Sequence, residues 1–462
     1  MNVSRYFAVT AWVLLLGGCA TVGPDYEAPK IDVTPSYNDS DIKRSLGDIA
    51  TKRWWENFED PVLDDLVRKG LAQNLDIAVA VERIAAAQAT LRSKGVNAML
   101  SGSAGYALTG SGANNAATTT AAATSLSGGI VIDLFGGIRR EQQAAEAQLK
   151  AAIDDVGTAR LAYLSELIGA YIEARYYQYA IKLTRDSIAT REQTLDITQK
   201  QHTVGTGTEL DTEQVKALLY AAQADIPDLE ANYLAQVYAM ATLLQTPASE
   251  LDATMQRNAE SISLLGLNLR TEYDTGIPAD LLRNRPDIRA AEQDLIAATA
   301  NIGVATADML PSLELSGTVS DFGAGIWSFG PTLTLPIFNQ GALAAERDVK
   351  VSEAKQAEIT WRQTVLDAVE DVQSANSAWR RDREKVQLLK NSMDAYQRAL
   401  DLSMQTYKAG VTTLLDLLVT DRSLASARLS FADALRTLSV DWATLQIALG
   451  AGAGADAGAD EK

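Results

Sequence analysis

The chain has 462 residues with 59 acidic against 41 basic side chains, a net charge of −18, and only one histidine and one cysteine. The acidic excess argues against nucleic acid as a partner; it suits a solvated periplasmic surface or a cation-tolerant lumen. A single cysteine excludes an internal disulfide. With no nucleophile motif and no convergent polar site, the sequence offers no catalytic constellation, no metal centre and no cofactor fingerprint, so an enzyme is not expected.

Residues 1–18 read as an export signal: Arg5, an apolar run over residues 6–16, then Gly17-Gly18-Cys19. The run is too short for a spanning helix, which needs about 20 residues. Leu16-Gly17-Gly18-Cys19 resembles a bacterial lipobox, which makes Cys19 the lipid attachment site; a plain signal peptide is the alternative. No aspartate follows Cys19, which favours the outer membrane as destination. Residues 19–57 form an extended tether, because Pro24, Pro29 and Pro35 keep breaking any helix, and Trp54-Trp55 are expected to pack it onto the body.

Asp60-Pro61 opens a helix expected to run to about Leu100 on a stripe of Leu63, Leu66, Val67, Leu71, Ile77, Val81 and Ile84. A strand over residues 103–109 follows, then a Gly/Ala/Thr/Asn-rich loop over 110–124, then a period-two strand from Leu126 to Leu134. Residues 139–202 are one helix, about 95 Å long at 1.5 Å per residue. Its steps of three, four and seven through Leu149, Val156, Tyr163, Leu167, Ala170, Ala174, Tyr177 and Ile181 trace a coiled-coil seam.

The pattern then recurs. Ile337-Phe338 answers Leu134-Phe135 at an offset of about 203 residues, and Pro286-Asp287-Ile288 answers Leu75-Asp76-Ile77. The second half repeats the strand pair more clearly: Leu313, Leu315 and Val319, then Leu333, Leu335 and Ile337, each alternate with polar neighbours, as a lipid-facing barrel wall requires. Trp327, Phe329 and Phe338 fall where an aromatic belt would sit. Residues 341–407 form the second long helix, and its return helix continues the seam through Phe431, Leu435, Leu438, Trp442, Leu445 and Leu449. The domain plan is therefore repeat one over 58–250, a linker over 251–277, repeat two over 278–450, and a disordered acidic tail over 451–462.

No segment after residue 19 is apolar enough for a transmembrane helix, so a mature chain that spans a membrane must use a closed barrel. Four strands cannot close one. The chain must therefore oligomerise to bury its edges, and three copies would give twelve strands, an even number within the range of known barrels.

The two helix reversals are the candidate functional elements: Val204, Gly205, Thr206 and Gly207 in the first, Gly410, Val411 and Thr412 in the second. Asp211 and Asp416 follow them at equivalent places. Three Asp416 carboxylates in a trimer would make a repelling ring that binds cations, takes up protons or is held by bases; equally, Asp416 can be a helix N-terminal carboxylate favoured by the dipole. Arg422 lies off the face of Asp416 and is better placed to hold a neighbouring helix or chain. His202 is a solvated helix-end residue or a pH-sensing element. Arg283-Asn284-Arg285-Pro286-Asp287 reads as structural, with ligand binding as the alternative.

Cys19 with Val22-Gly23-Pro24-Asp25-Tyr26, Trp54-Trp55 with Asp60-Pro61, Leu282 through Ile288 with Ala291-Glu292, and the runs Ile302-Gly303-Val304-Ala305, Leu310-Pro311 and Leu335-Pro336-Ile337-Phe338 together resemble the TolC-like outer-membrane efflux factors, in their OprM/NodT-type lipoprotein branch. The resemblance spans nearly the whole mature chain. It implies a mixed fold: four β-strands per chain contributing to a trimeric twelve-stranded transmembrane barrel, plus a long-helix periplasmic coiled-coil barrel closed at its tip. It implies the exit channel of a tripartite efflux system, coupled through a periplasmic adaptor to an inner-membrane pump, with docking at the two reversals and an aperture at Asp416, Val419 and Arg422. Some relatives carry a second aspartate where this chain has Val419, so the acidic ring is expected to be single and the gate partly apolar. A non-conducting coiled-coil scaffold lipoprotein is the alternative, and lipid-facing hairpins are what such a scaffold would not need.

Overall fold

The computed structural model describes residues 21–31, 37, 45–112, 114, 117–257, 278–320 and 325–455. The lipobox and Cys19, residues 258–277 and residues 456–462 lie outside that set. Backbone packing divides the chain into two units, one of residues 1–32, 80–155 and 287–364, the other of residues 33–79, 156–286 and 365–462.

The expected first helix is three. α1 (Pro61–Gln73) starts on Asp60, whose side chain accepts from Val62 N, and α2 (Leu75–Ser93) follows at once. Asn74 makes the break: its extended backbone ends α1 while its side-chain oxygen accepts from Asp76 N at 2.9 Å and Ile77 N at 3.1 Å. One residue thus stops one helix and caps the next, a competition that Asn is suited to. Gly95, at φ +66°, then separates off the short α3 (Val96–Met99).

In the first unit, β1 (Leu100–Ser111), β2 (Thr119–Ile132), β3 (Ser312–Ser320) and β4 (Ile326–Thr334) form one antiparallel sheet in that order. The expected loop over 110–124 is largely strand, since Ala121 to Thr124 pair with Thr109 to Tyr106. Small residues without alternation hide a strand from pattern reading, but the backbone ladder does not need large side chains. Register puts Leu100, Tyr106, Leu108, Leu126, Ile130, Leu313, Leu315, Val319 and Leu333 on one face, and Ser101, Ser103, Ser127, Gly129, Ser316, Thr318 and Thr332 on the other. Trp327 lies at the loop end of β4 and Phe338 beyond its helix end, both exposed; Phe329 sits inside the strand opposite Gly317 rather than at an end. β1 and β4 are edges with no partner among the described residues, so a second chain must cover them.

α4 (Gly137–Thr203) and α9 (Gln340–Lys408) are the two long helices, each one residue or two longer at its ends than the periodicity predicts. Between them come α5 (Glu209–Leu243), α6 (Ala248–Arg257), α7 (Leu281–Asn284) and α8 (Pro286–Ala307), and α10 (Leu414–Ala448) closes the chain. Leu75 and Pro286 both open helices, as the repeat requires, but the halves enter the sheet differently. α8 ends at Ala307 ahead of Pro311, whereas α2 reaches β1 through Gly95 and α3. The start of the expected linker is helical: Leu251 and Met255 in α6 are buried.

Tether residues lie packed in each unit. In the first, Arg140 is buried and donates from Nε to Val22 O at 3.1 Å and from Nη2 to Gly23 O at 3.2 Å, with Asp25 at 2.9 Å. Gly23 and Gly303 meet so closely that a Cβ on Gly23 would enter the Gly303 backbone. In the second, Trp54 and Trp55 are buried and Trp54 Nε1 donates to Ala451 O at 3.1 Å. Ala451, Ala453 and Ala455 are buried too, so the first five residues of the expected disordered tail are packed. Their small side chains, with Gly450 and Gly452 at positive φ, let the backbone press against the tryptophan.

Asn284 and Arg285 of the Arg283-to-Asp287 motif make structural contacts within the second unit. Asn284 Nδ2 donates to Gly47 O at 2.9 Å, and Arg285 reaches Asp371 at 2.9 Å and Ala448 O at 3.2 Å.

Candidate gate and docking turns

α4 ends as a glycine-capped helix. Gly205 adopts φ +78°, Thr206 N donates to Gln201 O at 2.9 Å, and Gly205 N to His202 O at 3.0 Å. α9 ends in the same way, with Gly410 at φ +74°, Val411 N on Thr406 O at 2.9 Å and Gly410 N on Tyr407 O at 2.9 Å. Both use the left-handed residue that lets the last carbonyls be satisfied. Two residues later each return helix begins with the same device. Thr208 and Asp211 form a reciprocal capping box, and so do Thr413 and Asp416. Asp416 Oδ2 accepts from Thr413 N at 3.3 Å and Thr413 Oγ1 at 2.6 Å. Of the two roles open to Asp416 in the sequence, the N-terminal carboxylate is the one formed within the chain; its other oxygen stays available.

The duplicated turns expose matching apolar residues. Val204 is 73 % and Val411 75 % exposed, and Leu210 and Leu415 stand out beside them. Gly205, Thr206 and Gly410 are exposed; Gly207 and Thr412 are half-covered, and Thr412 shares a hydroxyl hydrogen bond of 2.9 Å with Thr406. Asp416, Val419 and Arg422 are all exposed on α10. His202 is exposed at the end of α4.

Beneath this surface two polar links tie the helix ends together. Tyr407 Oη donates to Gln201 Oε1 at 2.6 Å, joining the two glycine turns, while its ring packs with Val215, Leu414, Leu417 and Leu418. Burial and the Asp211 charge push the Tyr407 hydroxyl above its ordinary pKa, so it remains a donor at neutral pH. Arg191 Nε donates to Asp421 Oδ2 at 2.8 Å and Nη1 to Leu218 O at 2.9 Å; both charged side chains are buried. One guanidinium thus holds α4, α5 and α10. Sequence reasoning chose the exposed Arg422 and passed over its neighbour Asp421. The signal was there: Asp421 interrupts the apolar stripe Leu414, Leu417, Leu418, Leu424 at helical spacing, which demands a buried partner.

The α4 seam also changes character. Up to Ile181 it is mainly apolar, with Asp154 and Arg175 as buried charges, and wider than a narrow seam, since Leu164, Ile168, Tyr171 and Ile172 are fully buried as well. Past Ile181 Leu183 is still buried, but the buried positions continuing the steps of three and four are Thr184, Ser187, Arg191, Thr194 and Thr198. Ser187, Thr194 and Thr198 donate to carbonyls of their own helix. Hydroxyls satisfied within the helix contribute little to holding it against its neighbours.

Two stretches, residues 66–246 and 277–451, match the outer membrane efflux protein family. Nodulation protein T of Rhizobium leguminosarum bv. trifolii is 36 % identical over 98 % of both chains. The pyoverdine export outer membrane protein OpmQ of Pseudomonas aeruginosa is 31 % identical over 82 % of both. The open-state MtrE outer membrane channel of Neisseria gonorrhoeae superposes with a TM-score of 0.81 at 27 % identity, covering 95 % of this chain and all of that one. With its unclosed four-stranded sheet and paired helical hairpins, the chain belongs to the outer membrane efflux protein family, as one protomer of a trimeric outer-membrane channel that works with a periplasmic adaptor and an inner-membrane pump.

Proposed function

We propose that the chain is a passive, gated exit duct with no chemistry of its own, held shut by its helix ends and opened from the periplasm. The observation that carries the proposal is the duplication at those ends. Two glycine turns, two capping boxes and two exposed valines repeat with the same geometry. Three chains present six such ends, a matched set that an adaptor can grip. Val204, Gly205, Thr206, Gly207, Gly410, Val411 and Thr412 are the docking residues, with the valines supplying apolar contact and the turns shape. Asp416, Val419 and Arg422 line the aperture. The Tyr407–Gln201 and Arg191–Asp421 links hold the closed form, and the hydroxyl-rich stretch of the α4 seam lets the ends repack at low cost. Cys19 is acylated and anchors the tether in the outer membrane. A scaffold role is disfavoured by the sheet, whose apolar face and bare edges have no use outside a closed barrel.

Single-channel conductance in planar bilayers tests the gate, using Asp416→Asn and Thr413→Ala. Asparagine keeps an acceptor for the cap while removing the charge; the alanine removes the cap, at about 1 kcal/mol, and keeps the charge. A small cation-preferring current is expected from the wild type, enlarged by Asp416→Asn and little altered by Thr413→Ala. Equal currents in all three would remove Asp416 from the gate, and silence from every verified trimer would revive the scaffold.

A further inference from the structure

Among the 44 residues of the four strands there is one charged side chain, Glu314. It lies third in β3, at the end where all four strands join helices. Register pairs it with Val131 of β2 and Thr332 of β4, on the face of Ser101, Gly129, Ser316 and Thr318. That face is the lumen side, because the opposite one carries the leucines, isoleucines and aromatics that must meet lipid. Glu314 is half-buried and, among the described residues, has no hydrogen bond or ion pair. None of the strands carries a basic residue.

Room for the carboxylate is built into the neighbouring strand. A Cβ on Gly129 would collide with Glu314 Oε1 and crowd Ser101 Oγ. Glycine inside a strand weakens it and marks a close approach; here what approaches is the carboxylate. An ionised group on a wall otherwise of hydroxyls, glycines and methyls, backed by lipid, dominates the local potential because low-dielectric walls focus its field.

We propose that Glu314, in three copies around the trimeric barrel, forms an acidic ring that gives the lumen a cation preference of its own, separate from the periplasmic gate. The inference rests on the channel function above. Uncharged or cationic cargo and metal ions would pass this ring more readily than anions. Rings of carboxylates act in this way in cation-selective pores.

The test is the reversal potential of purified trimers under a KCl gradient, for wild type, Glu314→Gln and Glu314→Asp, each also in the Asp416→Asn background so that the gate does not limit current. Glu314→Gln is expected to lower the cation-to-anion permeability ratio about threefold near 0.1 M salt, and much less near 1 M, where the screening length falls from about 10 to about 3 Å. Glu314→Asp should keep the preference. As a variant independent of Gln packing, Glu314→Cys should regain cation preference when modified with an anionic methanethiosulfonate and lose it further with a cationic one. An unchanged ratio at low salt in conducting Glu314→Gln trimers, or indifference of the cysteine to the sign of the reagent, overturns the proposal. If neither wild type nor Asp416→Asn conducts, the channel function fails first and the ring fails with it.

Discussion

Asp421→Ala is expected to destabilise the trimer and raise its resting conductance together. The substitution leaves the Arg191 guanidinium buried against Leu218 O with no counter-charge. Removing one partner of a buried pair costs about 3–5 kcal/mol, more than an exposed salt bridge contributes by severalfold. Because Arg191 joins α4 to α5 and α10, the cheapest way for the protein to rehydrate it is to let those helix ends part. Replacing both charges, as Arg191→Met with Asp421→Leu, should recover much of the lost stability, since an apolar pair avoids the desolvation cost altogether. Thermal dissociation of the trimer and single-channel current should then diverge. If the link is only structural, the double variant restores both. If the charges hold the closed form, it restores stability and leaves the current raised. A loss of less than about 1 kcal/mol in Asp421→Ala would show that the pair is solvated in the assembled protein.

The sequence revealed the elements that repeat and alternate, and missed those set by single residues. Both long helices, the two glycine turns and the apolar strand faces were legible because period and offset repeat over many residues. The first helix was read as continuous because nothing in its apolar stripe registers that Asn74 can end one helix and cap another. β2 was read too short because Ala121 to Thr124 carry no alternation, though their backbone pairs fully. The tail was read as disordered from its Gly/Ala/acidic composition; Ala451, Ala453 and Ala455 are buried because small residues are what fit beside Trp54. In the candidate gate, Asp416 and the exposed valines were found from the repeat, while Arg191, Asp421 and the Tyr407–Gln201 link needed helices distant in sequence to be brought together.

Asp441→Asn should stabilise the protein at pH 8 and change little near pH 4. Asp441 on α10 has its pKa raised from 3.8 to about 7, first by burial and then by a hydrogen bond shared with Asp382 of α9 and by that residue's charge. One of its oxygens, Oδ2, has no hydrogen-bond partner among the described residues. The neighbouring cations are poorly placed to offset this. Lys385 stands 3.8 Å from Asp382, and Arg436 is engaged by Asp433 and Glu173, each at 2.6 Å. Two close carboxylates favour holding one proton between them, protonated Asp441 donating to Asp382. A carboxyl whose folded pKa lies above its unfolded value contributes its full stability below about 3.8 and loses it as pH rises through about 7. Above pH 7 the α9–α10 contact therefore carries an unrelieved negative charge that asparagine lacks. Each kcal/mol so recovered should raise the melting temperature by about 2–4 °C. Melting curves of wild type and Asp441→Asn should separate progressively as pH rises from about 4 to about 7, and keep a constant gap from there to pH 8. A gap that stays constant from about pH 4 to about pH 7 would mean Asp441 is ionised throughout, and the shared proton would have to be abandoned. The functional consequence is a helix pair that grips more tightly as the periplasm acidifies, set by a carboxyl pair in the same unit as the gate but on a different stretch of α9 and α10.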